Sequence, residues 1–214
     1  MKVLPFRTRQ ECQEAQSEVI AHLRAGGILG YPTETVYGLG CVLDAAPLET
    51  LATLKGGREE KSFLLLIGAV GQIEHVTWTE NARKLAAAFW PGPLTIALRA
   101  DPSRFPARVL SAANSVAVRL TGHAEMRALL AALGEPITST SANLPGNPPA
   151  TSAEGVAAVL TGLDDLGSLI LDAGSLPPAA PSTLVDCSAE PPRLIREGAI
   201  TLEQLTRIVH DVRA

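Results

Sequence analysis

The sequence predicts an α/β (α+β) domain built on a twisted, mixed β-sheet that is flanked by helices. Segments with apolar residues at helical spacing alternate along the chain with short runs rich in Val, Ile and Leu. Such alternation is typical of mixed architectures. The 214 residues, 46% of them hydrophobic, suffice for a buried core, and no internal repeat divides them. We therefore expect a single domain over residues 1–214.

The helices are expected where a polar cap precedes apolar residues at helical spacing. Thr8 and Glu11 form a capping box, and the helix that follows is expected to stop at Gly26-Gly27. The other predicted helices cover 48–54, 81–89 and 124–133, with a last one that begins at Thr201 and ends near Arg213.

The strands are expected to be short, because turn residues bound each apolar run. The first strand ends at Pro32, which cannot donate a ladder hydrogen bond. The glycines of Tyr37-Gly38-Leu39-Gly40 are then expected to form a turn that lets a ligand approach the main chain. A proline-rich segment over 174–181 is expected to be a mobile loop or lid. The remaining strand candidates are 63–67, 94–98, 116–120, 137–140, 169–171 and 183–185.

Composition excludes several classes of protein. The formal net charge of −4 argues against a protein held to nucleic acid by bulk electrostatics. No apolar run is long enough to span a bilayer, and the N-terminus lacks the apolar stretch of a signal peptide. The cysteines, Cys12, Cys41 and Cys187, match neither a disulfide framework nor a zinc site. We expect a cytoplasmic protein with reduced thiols and no membrane association.

Polar side chains cluster directly after several predicted strands. Two hydroxyls flank a carboxylate at Thr33-Glu34-Thr35, and Lys55, Arg58 and Lys61 precede the next strand. Further clusters are Ser139-Thr140-Ser141-Ala142-Asn143, Ser182-Thr183 and Arg196. Hydroxyls, an amide and cations that converge at strand ends suit an anionic, polyphosphate ligand. Taken singly, such clusters are more often a turn, a helix cap or a solvated face than a binding site.

The usual signatures of phosphate binding and hydrolysis are missing from the sequence. It contains no GxxxxGK[ST] loop, no GxGxxG between a strand and a helix, and no GxSxG. His and Cys residues also lack the spacing of metal ligands. We therefore expect no bound metal, and any Mg²⁺ is expected to arrive with a nucleotide.

Taken together, the clusters resemble the YrdC-like family, the threonylcarbamoyl-AMP synthases. The resemblance extends from about residue 8 to residue 205. The chain is similar to the short, single-domain form of the family. Its blocks are, in order, GGILGYPTETVYGLG, LKGGREEKSFLLLI, WPGPLTIAL, VAVRL, ITSTSAN, PSTLVD and LIREGAI.

The resemblance implies a fold, a reaction and partners. The implied fold surrounds a large concave cavity. The implied enzyme is a nucleotidyltransferase that condenses L-threonine, bicarbonate and ATP to threonylcarbamoyl-AMP and pyrophosphate. The product serves the modification of the adenine beside the anticodon, so tRNA or the tRNA threonylcarbamoyl transferase complex is an implied partner. ATP is implied as a substrate that carries Mg²⁺, with no organic cofactor.

The resemblance also assigns roles to residues. Lys55 and Arg58 are the implied catalytic cations. The implied threonine contacts are Thr33, Thr35, Ser115 and Arg119, and the implied nucleotide contacts are Lys55, Arg58, Lys61, Ser141, Asn143, Ser182 and Arg196.

One element departs from the family pattern. The family usually carries Lys-x-Arg, whereas this chain reads Lys55-Gly56-Gly57-Arg58, so glycine occupies the arginine position. A one-residue shift reverses side-chain direction in an extended segment. A divergent, non-catalytic paralogue that binds RNA or assists ribosome maturation is therefore the alternative. A carbamoyl-adenylate domain of a hydrogenase-maturation protein is a third possibility, although the chain lacks the zinc-finger cysteines of such proteins.

Overall fold

The computed structural model describes residues 1–57, 62–161 and 167–214. These residues form eleven β-strands and six α-helices, together with two single-turn 3₁₀ helices over Val70–Gln72 and Ala107–Val109. The α-helices are α1 (Arg9–Arg24), α2 (Ala45–Leu54), α3 (Glu80–Phe89), α4 (Ala124–Leu133), α5 (Ala153–Leu160) and α6 (Leu202–Ile208). The strands are β1 (Lys2–Pro5), β2 (Ile28–Tyr31), β3 (Gly38–Gly40), β4 (Leu64–Ile67), β5 (Val76–Thr77), β6 (Leu94–Ala100), β7 (Ser115–Leu120), β8 (Ile137–Ser141), β9 (Ser168–Asp172), β10 (Thr183–Asp186) and β11 (Arg193–Arg196).

The strands form one mixed sheet, which confirms the predicted fold class. Their order across the sheet is β1-β9-β2-β3-β8-β4-β7-β6-β10-β11, and β5 pairs with β6 outside this row. The parallel pairs are β1/β9, β9/β2, β4/β7 and β6/β10, while the remaining neighbours run antiparallel. Strands that are distant in sequence therefore lie side by side, so residues far apart along the chain meet across the sheet.

Buried side chains form two clusters, one on each side of the sheet. Leu65 and Ile67 of β4 belong to the larger cluster, whereas Leu66 between them belongs to the smaller one. Since successive side chains of a strand alternate between faces, the clusters lie on opposite faces. Helices α1 and α4 contribute Val19 and Leu129 to the smaller cluster. Residues from α2, α3 and α5 belong to the larger one.

Several helix boundaries confirm the caps expected from the sequence, and one does not. The Thr8 side chain accepts from the Glu11 N–H and the Glu11 carboxylate accepts from the Thr8 N–H, so the capping box of α1 is present. Thr201 caps α6 in the same way. The expectation that this helix continues to near Arg213 was wrong, because α6 ends at Ile208. The chain then turns back, and Arg213 forms a parallel bridge with Arg193.

The segment Gly38–Gly40 corrects the expected glycine turn. It forms β3, a buried strand that pairs with both β2 and β8. A Cβ at residue 40 would lie only 2.0 Å from the Thr138 carbonyl oxygen. Glycine is therefore required at residue 40 for the close approach of a neighbouring strand and not for a turn, while the approach of a ligand to this main chain stays a prediction.

The proline-rich segment 174–181 is held at its beginning. The Tyr37 hydroxyl donates to the Gly174 carbonyl at 2.8 Å, and the Leu176 N–H donates to the Thr151 carbonyl at 2.8 Å. The mobility of this segment stays a prediction. No helix among the described residues is long and apolar enough to cross a membrane.

Candidate functional site

The loop between β2 and β3 places two buried threonines against an arginine of β7. The hydroxyls of Thr33 and Thr35 lie 3.0 Å apart, and the Thr33 hydroxyl donates to the Val36 carbonyl at 2.7 Å. With its proton used in this way, Thr33 accepts the proton of Thr35. Arg119 Nη2 donates to Thr35 Oγ1 at 3.2 Å. The three side chains therefore form one connected, buried network.

Glu34 lies within this network and is paired with the same arginine. Its Oε1 is 2.6 Å from Arg119 Nη2, and its Oε2 accepts a hydrogen bond from the Thr121 hydroxyl at 2.8 Å. Burial acts to raise the pKa of Glu34, but the charge and hydrogen bonding of Arg119 and the bond from Thr121 outweigh it, so the pKa lies below its usual range. Glu34 is therefore ionised at neutral pH.

Arg119 is buried with hydrogen-bonding capacity left over. Its side chain is only 7% exposed, and its Nε has no hydrogen-bond partner among the described residues. A buried guanidinium without enough acceptors is costly, because each unsatisfied donor loses its hydration. Such a group suits a ligand that brings its own acceptor, above all a carboxylate or phosphate.

The register of the sheet places further polar residues in line with Arg119. Ile96 of β6 pairs with Val118, so continuing this register by one residue puts Thr95 opposite Arg119. On the other side of β6, Thr95 pairs with Leu184, which in turn pairs with Arg196. Arg119, Thr95 and Arg196 therefore lie in one row across four strands, on one face of the sheet.

Ser182 and Arg196 form a second polar cluster, beside the one made by Thr33, Thr35 and Arg119. Two nitrogens of Arg196, Nε and Nη2, donate to the Ser182 carbonyl at 3.2 and 2.8 Å. The Ser182 hydroxyl lies 3.0 Å from that of Thr95. Burial lowers the pKa of Arg196, and the charge of Arg119 lowers it further. The two guanidinium groups therefore repel each other, which favours an anion between them.

Lys55 forms the third cluster with the residues that follow β8. Its Nζ donates to the Ser141 carbonyl at 3.0 Å, to the Asn143 carbonyl at 2.6 Å and to Asn143 Oδ1 at 2.7 Å. The Ser141 hydroxyl also donates to Asn143 Oδ1, at 2.6 Å. Burial lowers the pKa of Lys55 to about 8. The three oxygen acceptors act in the other direction, because they stabilise the ammonium form.

The structure does not bring all predicted site residues together. Ser115 lies on the same face of β7 as Arg119, four residues away, but its hydroxyl pairs with that of Ser111 at 2.7 Å. Arg58 and Lys61 lie outside the described residues. Gly57 has φ +67°, a conformation that favours glycine over the arginine of the family pattern.

Sequence reasoning missed Glu34, Thr121 and Thr95 as members of the site. Glu34 lies between two hydroxyls in the predicted loop, which is the one signal that could have identified it. Thr121 and Thr95 carry no motif, and only the pairing of strands shows that they touch site residues.

Two cavities lie away from the row of arginines. One, of about 320 Å³, borders Asn143 and Asn147, and the other, of about 430 Å³, borders Lys2 and Ser168. The large concave cavity implied by the resemblance stays a prediction. Within the described parts of the chain, no group of three or more His, Cys, Asp or Glu side chains is placed to hold a metal ion.

Fold and site together define a mixed α/β protein with a half-buried cationic face suited to anions. The model of the Sua5/YciO/YrdC family, described as "Telomere recombination", matches residues 21–198. The chain therefore belongs to this family, which confirms the resemblance seen in the sequence.

Relatives of known name agree with this assignment. The threonylcarbamoyl-AMP synthase of Bacillus subtilis is 34% identical over 196 residues, which cover 90% of this chain and 56% of the relative. That of Pyrococcus abyssi is 33% identical over 213 residues, which cover 97% of this chain and 61% of the relative. The putative threonylcarbamoyl-AMP synthase of Mycobacterium leprae is 31% identical over 201 residues, 92% of this chain and 89% of the relative. The chain thus spans little more than half the length of the first two relatives.

Solved structures confirm the fold. P. abyssi Sua5 complexed with L-threonine has a TM-score of 0.88 and 32% identity, covering 100% of this chain and 62% of that one. Escherichia coli YciO has a TM-score of 0.80 and 26% identity, covering 95% of this chain and 98% of that one.

Proposed function

We propose that this protein is an L-threonylcarbamoyladenylate synthase, which condenses L-threonine, bicarbonate and ATP to threonylcarbamoyl-AMP and pyrophosphate. The observation that carries the proposal is the buried Arg119, which is held at the Thr33-Glu34-Thr35 segment with an unused donor. The names of the relatives support the synthase over the RNA-binding alternative. The likeness to a Sua5 complexed with L-threonine supports the amino-acid substrate.

The threonine site is proposed around Arg119. Its guanidinium would bind the carboxylate of the amino acid, since a planar donor fork matches a planar carboxylate. Thr35 would contact the substrate through its hydroxyl, and Thr33 would orient that hydroxyl through their 3.0 Å hydrogen bond. Ser115 would reach the ligand from the same face of β7, after releasing Ser111.

The nucleotide site is proposed around Lys55 and Arg196. Lys55 would exchange one of its three oxygen partners for a phosphate oxygen, while Ser141 and Asn143 hold the ammonium in place. Arg196 and Ser182 would bind the nucleotide from the other end of the row. Arg58 and Lys61 are proposed to add positive charge at the triphosphate, on the strength of the resemblance.

The chemistry requires positioning and positive charge more than a reactive side chain. The threonine ammonium and bicarbonate combine to a carbamate: an N–C bond forms, and water and one proton leave. A carbamate oxygen then attacks the α-phosphorus, and the bond from this phosphorus to the pyrophosphate oxygen breaks. Lys55 and Arg58 would stabilise the charge that develops on the phosphoryl oxygens. No covalent intermediate with the enzyme is needed.

Mg²⁺ and the partners follow from the substrates. The one carboxylate described at the site, Glu34, is paired with Arg119, and the other groups are hydroxyls, amides and cations; this fits a metal ion brought in on phosphate oxygens better than a resident one. The product would pass to the tRNA threonylcarbamoyl transferase complex in the cytoplasm, for modification of tRNA.

Pyrophosphate release tests the proposal. Purified protein incubated with ATP, threonine, bicarbonate and Mg²⁺ should release pyrophosphate only when all components are present. Arg119→Ala should raise the KM for threonine by about tenfold or more, because a charge-assisted pair is lost. Release that does not depend on threonine, or no release at all, would overturn the synthase function.

A further inference from the structure

We propose that Glu34 is a positioning residue: it fixes the orientation of the Arg119 guanidinium so that the free edge of this group meets the substrate carboxylate. The proposal rests on the proposed function, because it concerns the same amino-acid site. Nothing in the blocks of the sequence assigns a role to this carboxylate, which stands between two threonines of the proposed amino-acid site.

The first argument is the division of the Arg119 donors. Nη2 faces Glu34 Oε1 at 2.6 Å and Thr35 Oγ1 at 3.2 Å, whereas Nε has no acceptor in the described part of the chain. The ion pair with Glu34 and the hydrogen bond to Thr35 both fall on Nη2 and anchor this end of the guanidinium, although Glu34 Oε1 has no partner of hydrogen-bond geometry among the described residues. They leave the remaining donors to a ligand, which is the arrangement that a preorganised carboxylate site needs.

The second argument is the charge balance across the row. Arg119 and Arg196 carry like charges in one row on the same face of the sheet; burial lowers the pKa of Arg196, and the charge of Arg119 lowers it further. Without Glu34, the repulsion between these charges would act on an arginine whose one remaining partner among the described residues is the Thr35 hydroxyl. Glu34 neutralises the buried charge and opposes the displacement of the side chain, since a buried cation needs a paired anion.

The third argument is that Glu34 is itself held in place. The Thr121 hydroxyl donates to Oε2 at 2.8 Å and accepts from the His123 N–H at 3.1 Å, so its own direction is fixed. A Cβ at Gly122 would lie 3.3 to 3.4 Å from the atoms of the Glu34 carboxylate end. The turn over residues 121–123 therefore shapes the space for Glu34, and Glu34 in turn shapes the space for Arg119.

The test separates threonine binding from nucleotide binding. Calorimetric Kd values would be measured for L-threonine and, separately, for a non-hydrolysable ATP analogue. Glu34→Gln should raise the Kd for threonine by about tenfold or more, since the amino-acid contact depends on the ion pair. It should raise the Kd for the ATP analogue by less than about twofold, since that contact does not. Gly122→Ala, which keeps the charge of Glu34 but displaces its side chain, should raise the Kd for threonine by a smaller factor than Glu34→Gln does. Glu49→Gln is the matched control, because it breaks another carboxylate–arginine pair, with Arg108, on an exposed surface.

A double-mutant cycle tests whether Thr121 acts on threonine binding through Glu34, a dependence called the relay below. Thr121→Val should weaken threonine binding, Thr121→Ser should recover most of the loss, and Thr121→Val should add little in the Glu34→Gln background. Multiplicative effects in the double mutant would overturn the relay, and unchanged threonine binding in Glu34→Gln would overturn the role of Glu34. An equal loss for both ligands together with a lowered Tm would assign Glu34 to stability alone and overturn the proposal. Failure of the wild-type protein to bind threonine would overturn the proposed function itself, and this inference with it.

Discussion

Lys55 Nζ lies 2.6 Å from the backbone carbonyl oxygen of Asn143 and 2.7 Å from the side-chain oxygen of the same residue. This pair joins the end of α2 to the loop after β8, two segments separated by 88 positions in the sequence. The cation is thus held by oxygens at a strand end, where a phosphate oxygen can replace one of them. Under the proposed function, we expect the activity to depend on the charge of this lysine.

The rate of pyrophosphate release should fall as the pH rises through about 8. Burial lowers the pKa of Lys55 to about 8, so its ammonium is present below that pH and lost above it. The unfolded pKa, near 10.5, is higher, so the unfolded chain binds more protons between the two values and stability should rise with pH in this window. Above pH 8, the kcat of the wild-type protein should therefore fall with rising pH, whereas the contribution of Lys55 should raise its Tm.

Two variants serve as controls for that profile. Lys55→Arg keeps a cation that does not titrate in this range, so the alkaline fall should disappear even if the rate is lower. Asn143→Asp places a carboxylate beside the ammonium, so the fall should move to higher pH. If Lys55→Arg retained the same alkaline fall, Lys55 would not be the titrating group.

The contact between Arg196 and Ser182 should matter for ATP more than for stability. Arg196→Lys should raise the KM for ATP by about tenfold, because an ammonium cannot place two nitrogens on the Ser182 carbonyl as the guanidinium does. Steady-state kinetics with ATP varied at saturating threonine would measure this change. Arg207→Lys is the matched control, since Arg207 pairs with Glu203 on the surface of α6. Equal effects of the two variants would count against a role for Arg196 at the nucleotide.

Replacing Gly40 should destabilise the fold without any contact to substrate. In Gly40→Ala the added methyl group would lie 2.0 Å from the Thr138 carbonyl oxygen, and the paired strands leave it no room. We expect the free energy of unfolding to fall by about 1–3 kcal/mol, or more where the strands separate. Gly71→Ala is the control, because nothing lies within 4 Å of a Cβ there, and a change below about 1 kcal/mol is expected. Urea titrations of both variants would settle the comparison, and equal midpoints would refute the close approach of β3 and β8.

Much of the fold could be predicted because local signals agree with the tertiary structure. The capping box at Thr8, the apolar runs of β4 and β7 and the αL glycine at 134 after α4 all act over a few residues. Strand β3 could not be predicted in this way. Its Gly-Leu-Gly sequence has little strand propensity, and its conformation depends on the pairing with β2 and β8 on both sides.

The candidate site could be predicted where polar residues follow strands, and not where the sheet alone brings residues together. Lys55 and Asn143 were expected at one site, and the structure joins them directly. Glu34 reads in sequence as a solvated loop charge, because a carboxylate between two threonines is common in turns. Only the contact of the β2–β3 loop with Arg119 of β7, a strand three positions away from β3 in the sheet, turns it into half of a largely buried ion pair.

The most direct test of the central claim is the incorporation of labelled bicarbonate. The protein would be incubated with ¹⁴C-bicarbonate, L-threonine, ATP and Mg²⁺, and the products separated by chromatography. The proposed function predicts one labelled product that contains both threonine and AMP and forms in equal amount with pyrophosphate. Two outcomes would contradict it. One is the release of pyrophosphate while no nucleotide that contains threonine carries the label, and the other is the absence of any labelled product from folded protein.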